Sequence, residues 1–221
     1  MYKEKQKKIL SVVAPVYNEE ENIDEFYSRV LKATQDLNLE LEIIYINDGS
    51  NDGSPTLLDD ISQQYPEVHV LHFDRNYGQT AAFDAGFHFS NGDLIATLDG
   101  DLQYDAADII KLLPFTENYD LVCGQRKKRL DNFIRKMSSR VAYLIRNAVI
   151  KDGIHDTGCS LKIFRRRVIK SLPLFQNMHR FFPALAKMYG FSVTEVPVQQ
   201  FARIHGQSKY GIGNRLLPAL Y

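Results

Sequence analysis

Short apolar runs alternate with amphipathic segments over the first 123 residues of the chain. Runs of this length indicate buried strands, and they lie at residues 11–16, 41–46, 68–73, 94–98 and 121–123. Apolar residues that recur every three or four positions predict helices between these runs: one after Asn18, its predicted N-cap, a second from Ser54-Pro55, and two over residues 80–90 and 105–113. This alternation predicts an α/β fold with a Rossmann-like, mostly parallel central sheet and helices on both faces.

The pattern changes after residue 123. A basic loop at 124–129 precedes a predicted helix at 133–150, a turn at 155–160, a strand at 161–164, a helix at 179–189 and a strand at 192–199. Arg165-Arg166-Arg167 opens another helix, and we interpret these arginines as a solvated or membrane-facing patch. We therefore expect a single domain over 1–221, with halves at 9–123 and 124–215 and an apolar end at 216–221.

Charge is divided unequally between the two halves, although the net charge of the whole chain is zero. Residues 1–122 contain 8 basic and 23 acidic residues, whereas residues 123–221 contain 19 basic and 4 acidic residues. An acidic half suits a metal ion and a polar small molecule, and a basic half suits a phosphate or an anionic membrane surface. An alternative remains that the two halves simply pair with each other.

Two cysteines in 221 residues form neither a disulfide framework nor a zinc pattern, which favours a reducing compartment. No signal peptide and no apolar stretch long enough for a transmembrane helix is visible. We therefore expect a cytoplasmic protein.

The run at 94–98 leads directly into Asp99-Gly100-Asp101-Leu102-Gln103. Ligands of open α/β sheets bind at the carboxyl ends of strands, and two carboxylates there need a cation, for which Mg²⁺ or Mn²⁺ is suited. The alternative is an ordinary Asp-Gly turn. Neither Gly-x-Gly-x-x-Gly nor a Walker A sequence is present, which disfavours dinucleotide and P-loop enzymes.

Several segments together resemble the family 2 glycosyltransferases. They are Pro15-Val16-Tyr17-Asn18-Glu19, Asn47-Asp48-Gly49-Ser50-Asn51-Asp52, Asn76-Tyr77-Gly78-Gln79 and Asp99-Gly100-Asp101-Leu102-Gln103. The loop from Arg203 to Tyr210 is similar to the Arg-x-x-Gly-x-Ser-Lys loop of the branch that glycosylates polyisoprenyl phosphates, which includes dolichol-phosphate mannose synthase. The resemblance covers about residues 9–215 and implies a GT-A fold with an acceptor-binding second half.

The resemblance also implies an activity: inverting, metal-dependent transfer of a sugar from a nucleotide sugar, UDP-linked rather than GDP-linked, to undecaprenyl or dolichyl phosphate. It assigns Pro15, Tyr17, Glu19, Asp48, Gln79 and Asp99 to the nucleotide sugar, and Asp99, Asp101 and Gln103 to the metal. Arg126, Arg203, Ser208 and Lys209 would bind the acceptor phosphate. Asp101, Arg126, Arg203 and Lys209 would carry the catalysis.

A phosphate acceptor is already ionised near pH 7 and needs no general base. This agrees with the scarcity of carboxylates in the second half, where Asp156 and Asp131 are the main candidates for a base and Asp152 is less well placed by any motif. Two alternatives remain: transfer to a sugar hydroxyl, which would need such a base, and a non-catalytic nucleotide-sugar binding module.

The expected partners are a nucleotide sugar, a polyisoprenyl phosphate and the cytoplasmic membrane face, but not a nucleic acid. The apolar end indicates either peripheral contact through Leu216, Leu217 and Leu220 or truncation before transmembrane helices. The helix at 133–150 could pack on a second copy of the chain.

Overall fold

The computed structural model describes residues 7–127, 153–173 and 178–202. Its strands are β1 (Lys8–Val16), β2 (Leu39–Asn47), β3 (Val68–His72), β4 (Leu94–Thr97), β5 (Leu121–Arg126), β6 (Lys162–Arg165) and β7 (Val193–Val198). Its helices are α1 (Ile23–Thr34), α2 (Ser54–Gln64), α3 (Gln79–Phe89), α4 (Asp108–Leu112), α5 (Arg166–Ser171) and α6 (Phe182–Met188), with 3₁₀ turns at Leu113–Glu117 and Met178–Arg180. Within these residues no helix combines the length and the apolar character needed to cross a membrane.

The strands form one sheet in the order β3-β2-β1-β4-β6-β5-β7. Strand β6 is antiparallel to both of its neighbours, and the remaining pairs are parallel. The carboxyl ends of the parallel strands and the amino end of β6 therefore share one edge, which we call the carboxyl rim. This arrangement confirms the predicted mostly parallel α/β sheet.

The core has two layers, one on each face of the sheet. Helices α1, α2 and α4 pack on one face, and α3, α5 and α6 pack on the other. Successive strand residues alternate between the layers, as Val12 and Val13 do in β1. Strands buried on both sides explain the continuous apolar runs in the sequence.

Several predicted boundaries differ from the structure. Strand β5 extends into the predicted basic loop as far as Arg126, because β7 pairs with it up to the Arg126–Val198 pair. Helix α1 begins at Ile23 after Asn22, so Asn18 is not its N-cap; Asn18 adopts a left-handed conformation with φ +53°. The predicted helices at 105–113 and 179–189 are each divided between a 3₁₀ turn and a shorter helix.

The three consecutive arginines do not form the solvated patch that we expected. Arg165 donates to the carbonyl oxygens of Thr116 and Glu117, and Arg166 to those of Gly92 and Ser90. Arg167 pairs with Asp120 although much of its side chain is exposed. These arginines stabilise the edge opposite the carboxyl rim. The predicted helix at 133–150, the loop at 203–210 and the apolar end lie outside the described residues.

Candidate active site at the carboxyl rim

The Asp-Gly-Asp turn follows β4 at the carboxyl rim, where the sequence predicted it. Asp101 Oδ1 accepts a hydrogen bond from the N–H of Gln103 at 3.1 Å. Between them Leu102 has φ +57°, a conformation that costs a leucine about 1–3 kcal/mol, and its side chain is buried in the core at 2% exposure. Burial of Leu102 therefore holds the turn in its strained form.

The electrostatic environment of Asp99 favours a bound cation. Burial and the nearby Asp101 carboxylate raise the pKa of Asp99 to about 7, against the opposing effects of Lys162, Ser160 and Gln79. The Gln79 Nε2–H donates to Asp99 Oδ1 at 2.6 Å. Two carboxylates that repel each other in a buried turn are relieved by a divalent ion between them.

The residues present fit Mg²⁺ or Mn²⁺ as a partial ligand set. Asp99, Asp101 and Gln103 offer hard oxygen donors, and Mg²⁺ commonly takes one or two carboxylates together with substrate phosphates. In the described part of the chain, no group of three His, Cys, Asp or Glu residues could hold a metal ion. Substrate oxygens or water would therefore complete the coordination.

Asp48, at the end of β2, joins two further loops of the rim. Its carboxylate accepts the N–H of Tyr77 at 2.7 Å and that of Gly78 at 3.0 Å. Burial raises the pKa of Asp48, and these two bonds offset part of the rise. Since Gln79 follows Gly78 directly and binds Asp99, the loops after β2, β3 and β4 form one hydrogen-bonded chain.

Pro15, Tyr17 and Glu19 lie at and beyond the end of β1. The backbone of Pro15 borders the acidic turn, because a Cβ atom on Gly100 would lie 3.4 Å from its carbonyl oxygen. Glu19 is buried; its carboxylate accepts from Asn22 Nδ2 at 2.6 Å, and its N–H donates to Ser54 Oγ at 3.0 Å. Residues 18–22 and Asp52 line a small polar pocket.

Arg126 ends β5 and is held by Asp156. Its Nε and Nη2 donate to the two oxygens of Asp156 at 2.6 and 2.8 Å. Asp156 also accepts the N–H of Arg126 and of Gly158, each at 3.1 Å, and its own N–H donates to Glu195 Oε1 at 2.7 Å. Burial would lower the pKa of Arg126, but the bonds to Asp156 raise it overall. Arg203, Ser208 and Lys209 lie outside the described residues.

Sequence reasoning missed Lys162 and did not identify the buried environment of His179. Lys162 opens β6 and is 4% exposed, and its ammonium donates to the carbonyl oxygen of Cys159. His179 bonds Thr80 Oγ1 through Nδ1 at 2.8 Å; burial, with Arg180 and Lys162, lowers its pKa to about 4, so the imidazole is neutral. A lysine within the apolar run at 161–164 was the available signal, since lysine is seldom fully buried without a partner.

The fold matches that of solved glycosyltransferases. Glucosyl-3-phosphoglycerate synthase from Mycobacterium tuberculosis, in complex with Mn²⁺, UDP and phosphoglyceric acid, superposes with a TM-score of 0.70 at 16% identity, covering 90% of this chain and 72% of that chain. A mannosyltransferase from Pyrobaculum calidifontis, in complex with GDP-Man and Mn²⁺, gives a TM-score of 0.67 at 15% identity, with 92% and 59% covered. These similarities confirm the predicted GT-A fold.

A family model, glycosyl transferase family 2, matches residues 11–172. The chain belongs to this family. Among curated proteins, it is 41% identical over 211 residues to the undecaprenyl-phosphate 4-deoxy-4-formamido-L-arabinose transferase of Aeromonas hydrophila, covering 93% of this chain and 64% of that protein. It is 40% identical over 211 residues to the dodecaprenyl-phosphate galacturonate synthase of Rhizobium johnstonii, covering 92% and 62%. The chain thus spans less than two thirds of the length of these relatives.

Proposed function

We propose that this chain is the catalytic part of a metal-dependent, inverting glycosyltransferase that moves a sugar from a nucleotide sugar to a polyisoprenyl phosphate. The carrying observation is the pairing of the half-buried Asp99 with the buried Asp101 at the carboxyl rim, joined by hydrogen bonds to the loops after β2 and β3. The names of the relatives from Aeromonas hydrophila and Rhizobium johnstonii support a polyprenyl phosphate as acceptor.

The rim supplies a place for the donor. The loop at Tyr17 and Glu19 with Asp48 would hold the base and ribose, and Asp99, Asp101 and Gln103 would hold the ion against the diphosphate. When bound, Mg²⁺ or Mn²⁺ would offset the negative charge of the leaving nucleoside diphosphate. Gln79 would fix the orientation of Asp99 through its hydrogen bond of 2.6 Å. We favour a UDP-sugar over a GDP-sugar as donor.

The acceptor side of the site favours a nucleophile that arrives already charged. Asp156, a candidate base by sequence, accepts four hydrogen bonds, two of them from the Arg126 guanidinium. A carboxylate used in this way is a poor general base, whereas a phosphate acceptor needs none. Arg203 and Lys209 would instead compensate the charge of the acceptor phosphate, and Ser208 and the Arg126 guanidinium would donate hydrogen bonds to it.

The test is a transfer assay with Mn²⁺ or Mg²⁺, labelled UDP- and GDP-sugars, and undecaprenyl phosphate in mixed micelles. We expect organic-extractable label that disappears when EDTA is added. Transfer only to saccharides would replace the proposal with a sugar-hydroxyl transferase, and binding without transfer would replace it with a binding module.

Asp101→Asn tests the acidic turn, because the amide keeps an oxygen for the Gln103 N–H while it removes the charge. We expect turnover to fall by at least about 100-fold with the fold intact, as for loss of a group that offsets transition-state charge. Asp105→Asn, four residues further along the same loop, is the matched control and should leave turnover within about twofold. Equal activity of the two variants would remove Asp101 from the metal site.

A further inference from the structure

Lys162 places a buried ammonium within the sheet, where lysine is seldom found. The side chain is 4% exposed and emerges from β6 beside the apolar residues of β5, since Lys162 is in register with Cys123 and with Thr97 of β4. In the part of the chain that the structure describes, its ammonium makes one hydrogen bond, to the Cys159 carbonyl oxygen. A buried cation with no hydrogen-bonded carboxylate is costly, so its charge must be offset within its surroundings.

The surroundings of Lys162 are those of the acidic turn. The Thr97 hydroxyl donates to the Ser160 carbonyl oxygen at 2.6 Å, and the Ser160 hydroxyl accepts the N–H of Asp99 at 3.4 Å. The ammonium donates to the carbonyl oxygen of Cys159, so the segment from Cys159 to Lys162 lies beside Asp99 and is held there by the bonds of Ser160. The positive charge of Lys162 also opposes the rise in the pKa of Asp99 that burial and Asp101 cause.

Charge around the turn can be counted from these residues. With an ion bound, Asp99 and Asp101 would together carry two negative charges, and Lys162 adds one positive charge nearby. His179, which bonds Thr80, adds no charge, because its imidazole is neutral. The Arg126 charge is already matched by Asp156 at 2.6 Å. Among the described residues buried at this rim, Lys162 is therefore the cation that no ion pair neutralises.

We infer that Lys162 is a positioning residue that acts through Asp99: its fixed charge makes the ion-loaded acidic turn favour the departing nucleoside diphosphate over the intact nucleotide sugar. This inference rests on the proposed function and deepens it. As the bond from the anomeric carbon to the phosphate oxygen breaks, its electron pair stays with the diphosphate, which gains one negative charge. The acceptor phosphate oxygen forms the new bond to the same carbon. The ammonium of Lys162, already fixed beside the turn, stabilises that added charge.

An electrostatic role and a purely structural role of Lys162 predict opposite changes in the affinity for Mn²⁺ alone when the lysine is replaced. If Lys162 only held the segment beside Asp99 in place, its loss would weaken binding of Mn²⁺, nucleoside diphosphate and nucleotide sugar together. If its charge matters, its removal leaves the turn more negative, so Mn²⁺ alone should bind at least as tightly while the diphosphate binds more weakly.

The experiment uses Lys162→Gln and Lys162→Met, with Lys162→Arg as the charge-preserving variant. Gln keeps an N–H near the Cys159 carbonyl, and Met fills the apolar space should Gln fold poorly. Lys111→Met, at an exposed lysine that pairs with Asp108, is the matched control. Calorimetry measures Mn²⁺ alone and then, at saturating Mn²⁺, UDP against UDP-glucose and GDP against GDP-mannose.

We expect Lys162→Gln to weaken binding of the nucleoside diphosphate about tenfold and binding of the nucleotide sugar about threefold or less, as for loss of one charge in a water-poor site. Mn²⁺ alone should bind at least as tightly as to the wild type, and Lys162→Arg should restore most of the diphosphate affinity. Equal weakening of all three ligands, or unchanged diphosphate affinity, would overturn the inference. A wild-type protein that binds Mn²⁺ but neither nucleotide would refute the proposed function itself.

Discussion

Asp156→Ala should be among the most destabilising single substitutions in this chain. It would leave the guanidinium of Arg126 buried without its partner and would free two backbone N–H groups, those of Arg126 and Gly158. The two side chains are only 12% and 1% exposed. Removal of one partner of a buried ion pair costs about 3–5 kcal/mol, which is a large share of a typical total of roughly 5–15 kcal/mol.

The chain contains its own control for this magnitude. Glu25 and Arg29 of α1 form an ion pair with an N–O distance of 2.7 Å, close to the 2.6 Å of the buried pair, but their side chains are 54% and 31% exposed. Water already solvates both charges there, so Glu25→Ala should cost about 0.5 kcal/mol. Burial of the charges, and not the N–O distance, would account for the difference in unfolding free energy between Asp156→Ala and Glu25→Ala.

Urea unfolding followed by far-ultraviolet circular dichroism measures both changes, since the chain has no tryptophan. At a slope of roughly 2 kcal/mol per molar urea, Asp156→Ala should lower the midpoint by about 2 M and Glu25→Ala by about 0.2 M. The double variant Arg126→Met with Asp156→Leu should lose less than the sum of its singles. Similar losses from Asp156→Ala and Glu25→Ala would refute the reasoning.

Three further predictions concern other parts of the core. Burial alone would raise the pKa of Glu42, but hydrogen bonds from Ser11 and Asn91 lower it overall. The stabilisation is full above the pKa of the unfolded state and is lost as the pH falls through the lower pKa of the folded state, so Glu42→Gln should cost unfolding free energy near pH 7 and progressively less as the solution is acidified. Leu102→Gly should relieve strain but lose core packing, for a net loss of about 2 kcal/mol by urea unfolding. Burial raises the pKa values of Cys123 and Cys159 to about 12, so a disulfide thiol reagent should modify neither in the native protein and both in denaturant; rapid native modification would contradict this.

The local pattern of the sequence was sufficient for the first half of the fold. A strand buried on both faces leaves an unbroken apolar run, and its end can be read from the first polar residues, as at Thr97 and Asp99. The same logic brought Gln79, Asp48 and Asp99 to one rim, because parallel strands end on the same edge. The bond from Gln79 to Asp99, and the bonds to Asp48 from the N–H groups of the two residues before Gln79, confirm this neighbourhood, although the ligands assigned to these residues stay predictions.

Partners that are distant in sequence could not be read from periodicity. The end of β5 at Arg126 depends on β7, more than 60 residues later, and no local signal announces that pairing. The sequence left Asp156 as a candidate base because its ion-pair partner, the Arg126 guanidinium, is 30 positions away in the chain. Lys162 was overlooked because an apolar run containing one lysine is read as a strand, without regard to where the lysine points.

The insertion of β6 between β4 and β5 has a consequence for how the molecule forms during synthesis. When residue 126 has left the ribosome, β4 has one free edge, and β5 has neither of its eventual neighbours, β6 and β7. The acidic turn then lacks Ser160 and Lys162, which lie about 60 residues beyond the turn in the sequence. A nascent chain that stops near residue 127 would expose unpaired strand edges and invite aggregation, so the sheet closes late and over long sequence separations, which slows folding.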